Sequence, residues 1–304
     1  MTCDTCTLPA GASVALATPL DAEGQLDKAG LSHLVTHVLA GAVRAVCPVG
    51  STGEGARLSA EQRLEVTAMV RELVPPEVPI VAGVPVSAVS AARAELVELA
   101  RIGATAALVA APSYFPSPDG DVRRLYTALA DTAPLPLVLY NIPQFTKVRI
   151  APDVVGELAQ HPRIVGIKDS SRDMEYLSEV LSAAQGTSDF RVLTGTDTLL
   201  VASLVAGADG TIAASANVCP GLGTAICAAV ARGDLTEANC LQQRLSHIVQ
   251  TCRRGVSPAG WKAALAILGI CADHLAPPAS SLTESELAQL QQELGEFGFP
   301  EAAT

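Results

Sequence analysis

The sequence predicts an α/β protein, a closed (β/α)8 TIM barrel with a C-terminal helical extension. Three observations carry that expectation. Strand-like and helix-like patterns alternate eight times over about 230 residues, the size of an eightfold barrel. The strand candidates are short, nearly continuous apolar runs, as parallel strands covered on both faces should be. Beyond Arg232 the strands stop and only helical patterns remain. A doubly wound open sheet is the alternative architecture.

In chain order the strands are expected near Val14–Ala17, Ala45–Val49, Ile80–Gly83, Ala106–Ala110, Leu137–Tyr140, Ile164–Lys168, Arg191–Thr194 and Gly210–Ala213. The helices between and after them are expected near Asp27–Ala40, Ser59–Val74, Ala88–Ile102, Asp121–Thr132, Ala151–Gln160, Asp173–Ala184, Asp197–Ala206 and Gly221–Arg232. Ser59-Ala-Glu-Gln62 is a capping-box pattern opening the second helix, because a hydroxyl and an amide three residues apart can satisfy each other's backbone N–H. The tail contributes Leu235–Cys252, Pro258–Leu268 and Thr283–Leu294, the last opened by a second capping box at Thr283-Glu-Ser-Glu286. The barrel is assigned to residues 1–232 and the extension to 233–304, packed on the barrel or on a neighbouring subunit.

A composition of 49% hydrophobic residues over 304 positions supports a sizeable core, and 20 basic against 31 acidic residues argue against a nucleic-acid surface. No basic segment precedes an apolar one at the N-terminus, and the longest uncharged stretch, Gly210 to Ala231, is broken by Gly, Pro and Asn. A soluble, cytoplasmic protein with no membrane contact follows as the expectation.

Eight scattered cysteines do not form a disulfide framework in a chain of this length. Cys3-Asp-Thr-Cys6 has the spacing of a metal or redox pair, but no second pair completes a zinc site. His33 and His37 lie four apart on a helix that should face away from a barrel's reaction centre. No metal is expected.

The chemistry concentrates at strand ends. Ile164-Val-Gly-Ile-Lys168 reads as a buried strand that ends on an amine, bounded by Pro162 and by Asp169-Ser170-Ser171. An ordinary lysine is only about 0.1% neutral near pH 7, so a nucleophilic role requires burial or neighbouring charge to lower its pKa. The structural alternative is a stem packed along the strand with its ammonium in water or on Asp169. Leu135-Pro-Leu-Val-Leu-Tyr-Asn-Ile-Pro143 is a second apolar run, ending in Tyr140-Asn141, and the helix between the two opens with Pro152. A strand–helix–strand unit brings both carboxyl ends to one side, so Tyr140 and Lys168 should share a face. Pro48-Val-Gly-Ser-Thr-Gly-Glu54 adds a tight turn whose amides and hydroxyls, Ser51 and Thr52, could cradle an anion. It lacks the lysine and length of a P-loop, so a carboxylate is the fitting guest.

Gly50-Ser-Thr-Gly-Glu54, Tyr140-Asn-Ile-Pro143 and Gly166-Ile-Lys-Asp169, in this order and spacing, resemble the dihydrodipicolinate synthase and N-acetylneuraminate lyase family. The resemblance implies a pyruvate-dependent class I aldolase, generally a homotetramer, that forms a Schiff base at the lysine matching Lys168 and needs no cofactor beyond it. It further implies that Tyr140 relays protons, that Ser51 and Thr52 hold the pyruvate carboxylate with Gly50 beside them, and that Gly195, Asp197, Ile212 and Ser215 line the second-substrate pocket. Tyr114, in Pro112-Ser-Tyr-Phe115, matches a tyrosine that crosses to a partner subunit.

Two departures bear on the substrate. Dihydrodipicolinate synthases carry an arginine for the second substrate's carboxylate where this chain has Phe145, and a phenyl ring cannot make that bidentate pair. Lys147 is the nearby cation, two residues on. Ile212-Ala-Ala-Ser-Ala-Asn217 resembles the 2-keto-3-deoxy sugar acid aldolases, and hydroxyls at Thr196, Thr198 and Ser215 suit a neutral polyhydroxy aldehyde. The expected reaction is therefore cleavage or formation of a 2-keto-3-deoxygluconate-type acid from pyruvate and an aldehyde. Dihydrodipicolinate synthase and 4-hydroxy-2-oxoglutarate aldolase are the alternatives of the same class, and a non-catalytic barrel that grips 2-keto acids is the alternative of another. A phosphosugar isomerase barrel would need a phosphate loop that Gly207-Ala-Asp-Gly210 does not supply.

Overall fold

A computed structural model of the protein describes residues 8–187 and 189–299, so Cys3 and Cys6 lie outside the described residues. Eight parallel strands run in chain order: β1 (Gly11–Ala15), β2 (Val46–Cys47), β3 (Val81–Val84), β4 (Ala106–Ala110), β5 (Leu137–Asn141), β6 (Ile164–Asp169), β7 (Arg191–Thr194) and β8 (Gly210–Ala213). Neighbours pair in sequence, and β1 pairs with both β2 and β8. A parallel bridge from Val46 to Ile80 brings β2 onto the start of β3 and closes the sheet. That closure separates the TIM barrel from the open doubly wound sheet.

Alternation along each strand sorts the side chains into two layers. Leu137, Leu139, Ile164 and Ile167 belong to the large apolar layer between strands and helices, whereas Val138, Tyr140, Val165, Leu193 and Ile212 fill the barrel interior. Ile167 faces the helices, so Lys168, the next residue, faces inward. Both expected capping boxes form, at Ser59–Gln62 and Thr283–Glu286.

Several boundaries differ from expectation, each for a local reason. β2 is only two residues long, because Val49 takes a left-handed φ of 50° and turns the chain out of the strand. A short helix at Pro143–Thr146 follows β5, started by Pro143 and by two amides, Phe145 and Thr146, that converge on the Ile142 carbonyl at 3.0 Å. The segment after β7 divides into a 3-10 turn, Asp197–Leu199, and the helix Leu200–Ala206. β1 starts at Gly11 rather than Val14, since register with β8 begins at Gly11 opposite Gly210.

The tail forms helices Leu235–Cys252, Ala259–Ile267 and Glu284–Glu296. Leu245, Ile248, Trp261 and Leu290 share one apolar cluster with Leu200, Ile226 and Ala229 of the barrel's last helices. Helix Ala259–Ile267 also carries Lys262 into the interior, where its Nζ lies 2.7 Å from Glu54 Oε1, both side chains being fully buried. Glu54 Oε2 accepts from the Ala276 N–H at 3.0 Å and from Arg57 Nη1 at 3.1 Å, and Lys262 Nζ also donates to the His274 carbonyl. The extension is thereby tied to the loop after β2. No helix among the described residues is long and apolar enough to cross a membrane.

Candidate active site

Tyr140 and Lys168 stand opposite each other in the β5–β6 register, at the carboxyl ends of both strands. Lys168 is 4% exposed, and its Nζ sits 4.6 Å from the centroid of the Tyr140 ring. Among the described residues the amine has neither an acid nor a hydrogen-bond partner. Asp169, the acid beside it, is turned away and fully engaged. Its Oδ1 accepts from Asn141 Nδ2 at 2.7 Å and from the Ser171 N–H at 3.1 Å, while Oδ2 accepts from Ser171 Oγ at 2.9 Å. Burial raises the Asp169 pKa against the pull of those donors. The structural alternative of an ammonium paired with Asp169 is therefore not the observed geometry.

The Tyr140 hydroxyl lies 3.3 Å from Ser51 Oγ, which joins the loop after β2 to the β5–β6 pair. That loop is held from below. Thr18 Oγ1 donates to the Gly53 carbonyl at 2.7 Å, and a side chain at Gly53 would meet the Leu16 carbonyl oxygen at 2.8 Å. At 195 a Cβ would lie 2.7 Å from Lys168 Cε and closer still to Ser170 Oγ, so a side chain there would displace the lysine stem. The bare backbone at Gly195 leaves the lysine stem its channel.

Ser51, Thr52, Tyr140, Lys168, Gly195, Asp197 and Ile212 line one cavity of about 450 Å³ above the barrel's carboxyl end. Such a volume holds a small ligand and a bond-forming partner. Cys47 lies inside the barrel close enough to feel the lysine's charge, yet burial pushes its thiol up to about 11. It therefore stays protonated near neutral pH and does not clamp the lysine as a counter-ion.

Other expected site residues are placed differently. Gly50 lines an adjoining cavity of about 420 Å³, and Phe145 forms part of the wall of both. Ser215 has its N–H and hydroxyl both directed at Asp197 Oδ1, so its hydroxyl is consumed within the protein. Tyr114 lines neither cavity. Its side chain is 90% exposed with φ at 83°, and its ring packs edge-on against Phe115 with centroids 4.9 Å apart. Lys147 turns back to the Gln144 carbonyl at 2.9 Å and does not reach the cavity.

The sequence reading missed the contributions of Arg172 and of the Arg253–Trp261 segment, which complete the cavity's rim. A signal for the first was available, because Asp169-Ser-Ser-Arg-Asp173 puts a cation in a turn just before a helix. Nothing local marks the second, which arrives from the tail. Among the described residues no cluster of His, Cys, Asp and Glu has a metal-holding arrangement.

Residues 8–296 match the family described as the dihydrodipicolinate synthetase family. A 4-hydroxy-tetrahydrodipicolinate synthase of Syntrophotalea carbinolica is 33% identical over 297 residues, covering 96% of this chain and 99% of that protein. Among solved structures, YagE of E. coli K12, a prophage protein of the dihydrodipicolinic acid synthase family in complex with pyruvate, superposes with a TM-score of 0.91 at 29% identity, covering 96% of this chain and 99% of that one. A chloride-inhibited dihydrodipicolinate synthase from Acinetobacter baumannii, also complexed with pyruvate, gives a TM-score of 0.92 at 28% identity and covers 96% of this chain and all of that one, 100%.

Proposed function

This chain belongs to the dihydrodipicolinate synthetase family and is a pyruvate-dependent class I aldolase-type enzyme, and we propose that Lys168 is the amine on which its chemistry runs. Enzymes of the family use a covalent lysine Schiff base with pyruvate and no metal cofactor. The observation that carries the assignment is the buried, acid-free Lys168 Nζ above the Tyr140 ring, with the Tyr140 hydroxyl 3.3 Å from Ser51 Oγ.

In this reading neutral Lys168 attacks the carbonyl carbon of pyruvate, and the carbinolamine loses water to give an iminium. The iminium draws electrons from the adjacent methyl carbon, which loses a proton and becomes an enamine. That carbon then attacks an aldehyde, whose oxygen takes up a proton, and hydrolysis releases the product and regenerates the amine. Tyr140 moves the protons, and Ser51 and Thr52 hold the pyruvate carboxylate in fixed donors. Tyr114 acts from a second copy of the chain in a homotetramer, which accounts for a tyrosine and a phenylalanine left exposed on one loop.

For the second substrate we adopt the reaction that names the relatives, 4-hydroxy-tetrahydrodipicolinate synthesis, and take the partner of pyruvate to be an aldehyde that itself carries a carboxylate. This departs from the sugar-acid expectation. None of the relatives described above bears such a name, and the Ser215 hydroxyl it relied on is occupied by Asp197. Phe145 remains the observation that favours a neutral aldehyde.

A panel of aspartate semialdehyde, glyoxylate and glyceraldehyde, each offered with pyruvate and scored by consumption, tests the choice. Preference for an acidic aldehyde is the expected result, and exclusive use of glyceraldehyde would return the sugar-acid reading. Tyr140→Phe should slow turnover by about a hundredfold or more, the scale of lost proton transfer. Unchanged turnover would remove Tyr140 from the relay.

A further inference from the structure

Position 145 supplies no cation, yet the cavity is not short of them. Its rim holds Arg172, Arg253 and Arg254, with Asp197 as an acid on the opposite side of the account. Arg254 is already spoken for, donating to Glu293 and, at 2.9 Å, to Gln289 Oε1. Asp197 is engaged through Oδ1 by Ser215. Among the described residues, neither the Arg172 nor the Arg253 guanidinium has a hydrogen-bond or acid partner.

We propose that Arg172 and Arg253 form the binding site for the carboxylate of the second substrate, in place of a residue at position 145.

Arg172 occupies a costly position. Its φ is 66°, a left-handed conformation that is unfavourable for a residue with a side chain. It also directly precedes Asp173, the N-cap of helix Met174–Ala183, where a helix's field opposes a cation. The neighbouring Asp173 is instead 3.4 Å from Arg149 and accepts from the Tyr176 N–H. Glycine would relieve the backbone, so nothing in the local structure calls for arginine here. What the turn does is place Arg172 in the lining of the cavity that Lys168 also lines. Arg253 lines the same cavity from the C-cap of helix Leu235–Cys252. The two lie close enough that Arg172's charge adds to desolvation in lowering the Arg253 pKa, and Asp197 offsets only part of that. Both residues are solvent-exposed, so water screens their mutual repulsion, but an anion at the cavity mouth would be drawn to the pair, and guanidinium forks match a carboxylate's two oxygens.

The inference rests on Lys168 forming the Schiff base, and the two can fail separately. Borohydride trapping with pyruvate tests the Schiff base alone. Trapping with 2-oxoglutarate against 2-oxopentanoate tests the arginines, because both keep the 1-carboxylate and form the same kind of imine, and only the first carries a distal carboxylate where the second has a methyl group. The wild-type enzyme should trap 2-oxoglutarate at lower concentration, and Arg172→Gln or Arg253→Gln should each reduce that preference by about tenfold, the worth of one charge-assisted pair. Arg172→Gly, which suits the left-handed backbone, should give the same loss and guards against a folding artefact. Measuring the ratio within each variant cancels general damage. A wild-type enzyme with no preference for the acid, or a preference that survives all three substitutions, would overturn the proposal. Absence of a pyruvate adduct would instead sink the reading of Lys168.

Discussion

Lys168→Ala is expected to lose the borohydride-trapped pyruvate adduct and to lower turnover by roughly 10³-fold or more, the scale on which a covalent nucleophile's removal is felt while its binding groups remain. The geometry makes the loss specific. The amine is buried at a strand end with no acid partner among the described residues, and Gly195 leaves its stem a channel that a side chain there would crowd. Lys168→Arg sharpens the experiment. It keeps a cation at the same place, but a guanidinium is not deprotonated near neutral pH and cannot attack a carbonyl. Equal inactivity of both variants assigns the role to a nucleophile. Substantial activity in the arginine variant would mean that the charge, and not the lone pair, does the chemistry, and would sink the Schiff-base reading of Lys168.

Lys262→Met should destabilise the fold by about 3–5 kcal/mol, the loss typical of a buried pair left with one charge. Lys262 and Glu54 have no exposed side-chain surface and meet at 2.7 Å. Arg57 and the Ala276 amide remain on Glu54 in the variant, so the lower end of that range is the better expectation. Denaturant unfolding measures it, and Glu54→Gln combined with Lys262→Met should recover much of the loss because no bare charge is then buried. Glu54 also ends the loop that carries Ser51 and Thr52, so catalysis should weaken even below the unfolding transition. A Lys262→Met protein as stable as wild type would show that the interior there admits water.

Much of this architecture was legible in the chain. The segments expected as strands at Ala106–Ala110 and Arg191–Thr194 coincide with observed strands, and the capping boxes at Ser59 and Thr283 form as read. Departures arise where one backbone angle outweighs composition, as at Val49, which ends β2 after Cys47. Within the site, the meeting of Tyr140 and Lys168 followed from one strand–helix–strand unit, whose parallel register is a local property. The aldehyde was harder to read. Phe145 announced a missing cation, but the groups that line its place come from elsewhere in the chain.

The sequence alone determined the barrel, the strand ends that carry amine and phenol, and the hydroxyl turn beside them, because each is encoded within a few residues by alternation, capping or turn chemistry. Only the tertiary structure decided that Lys262 would neutralise Glu54 across 208 positions, that Asn217 would bind the Ala17 amide across 200, and that Arg253 would reach the cavity of Arg172. Contacts across such separations leave no periodic trace, since their entropy of closure grows only slowly with loop length and packing alone selects which of many distant pairs will meet.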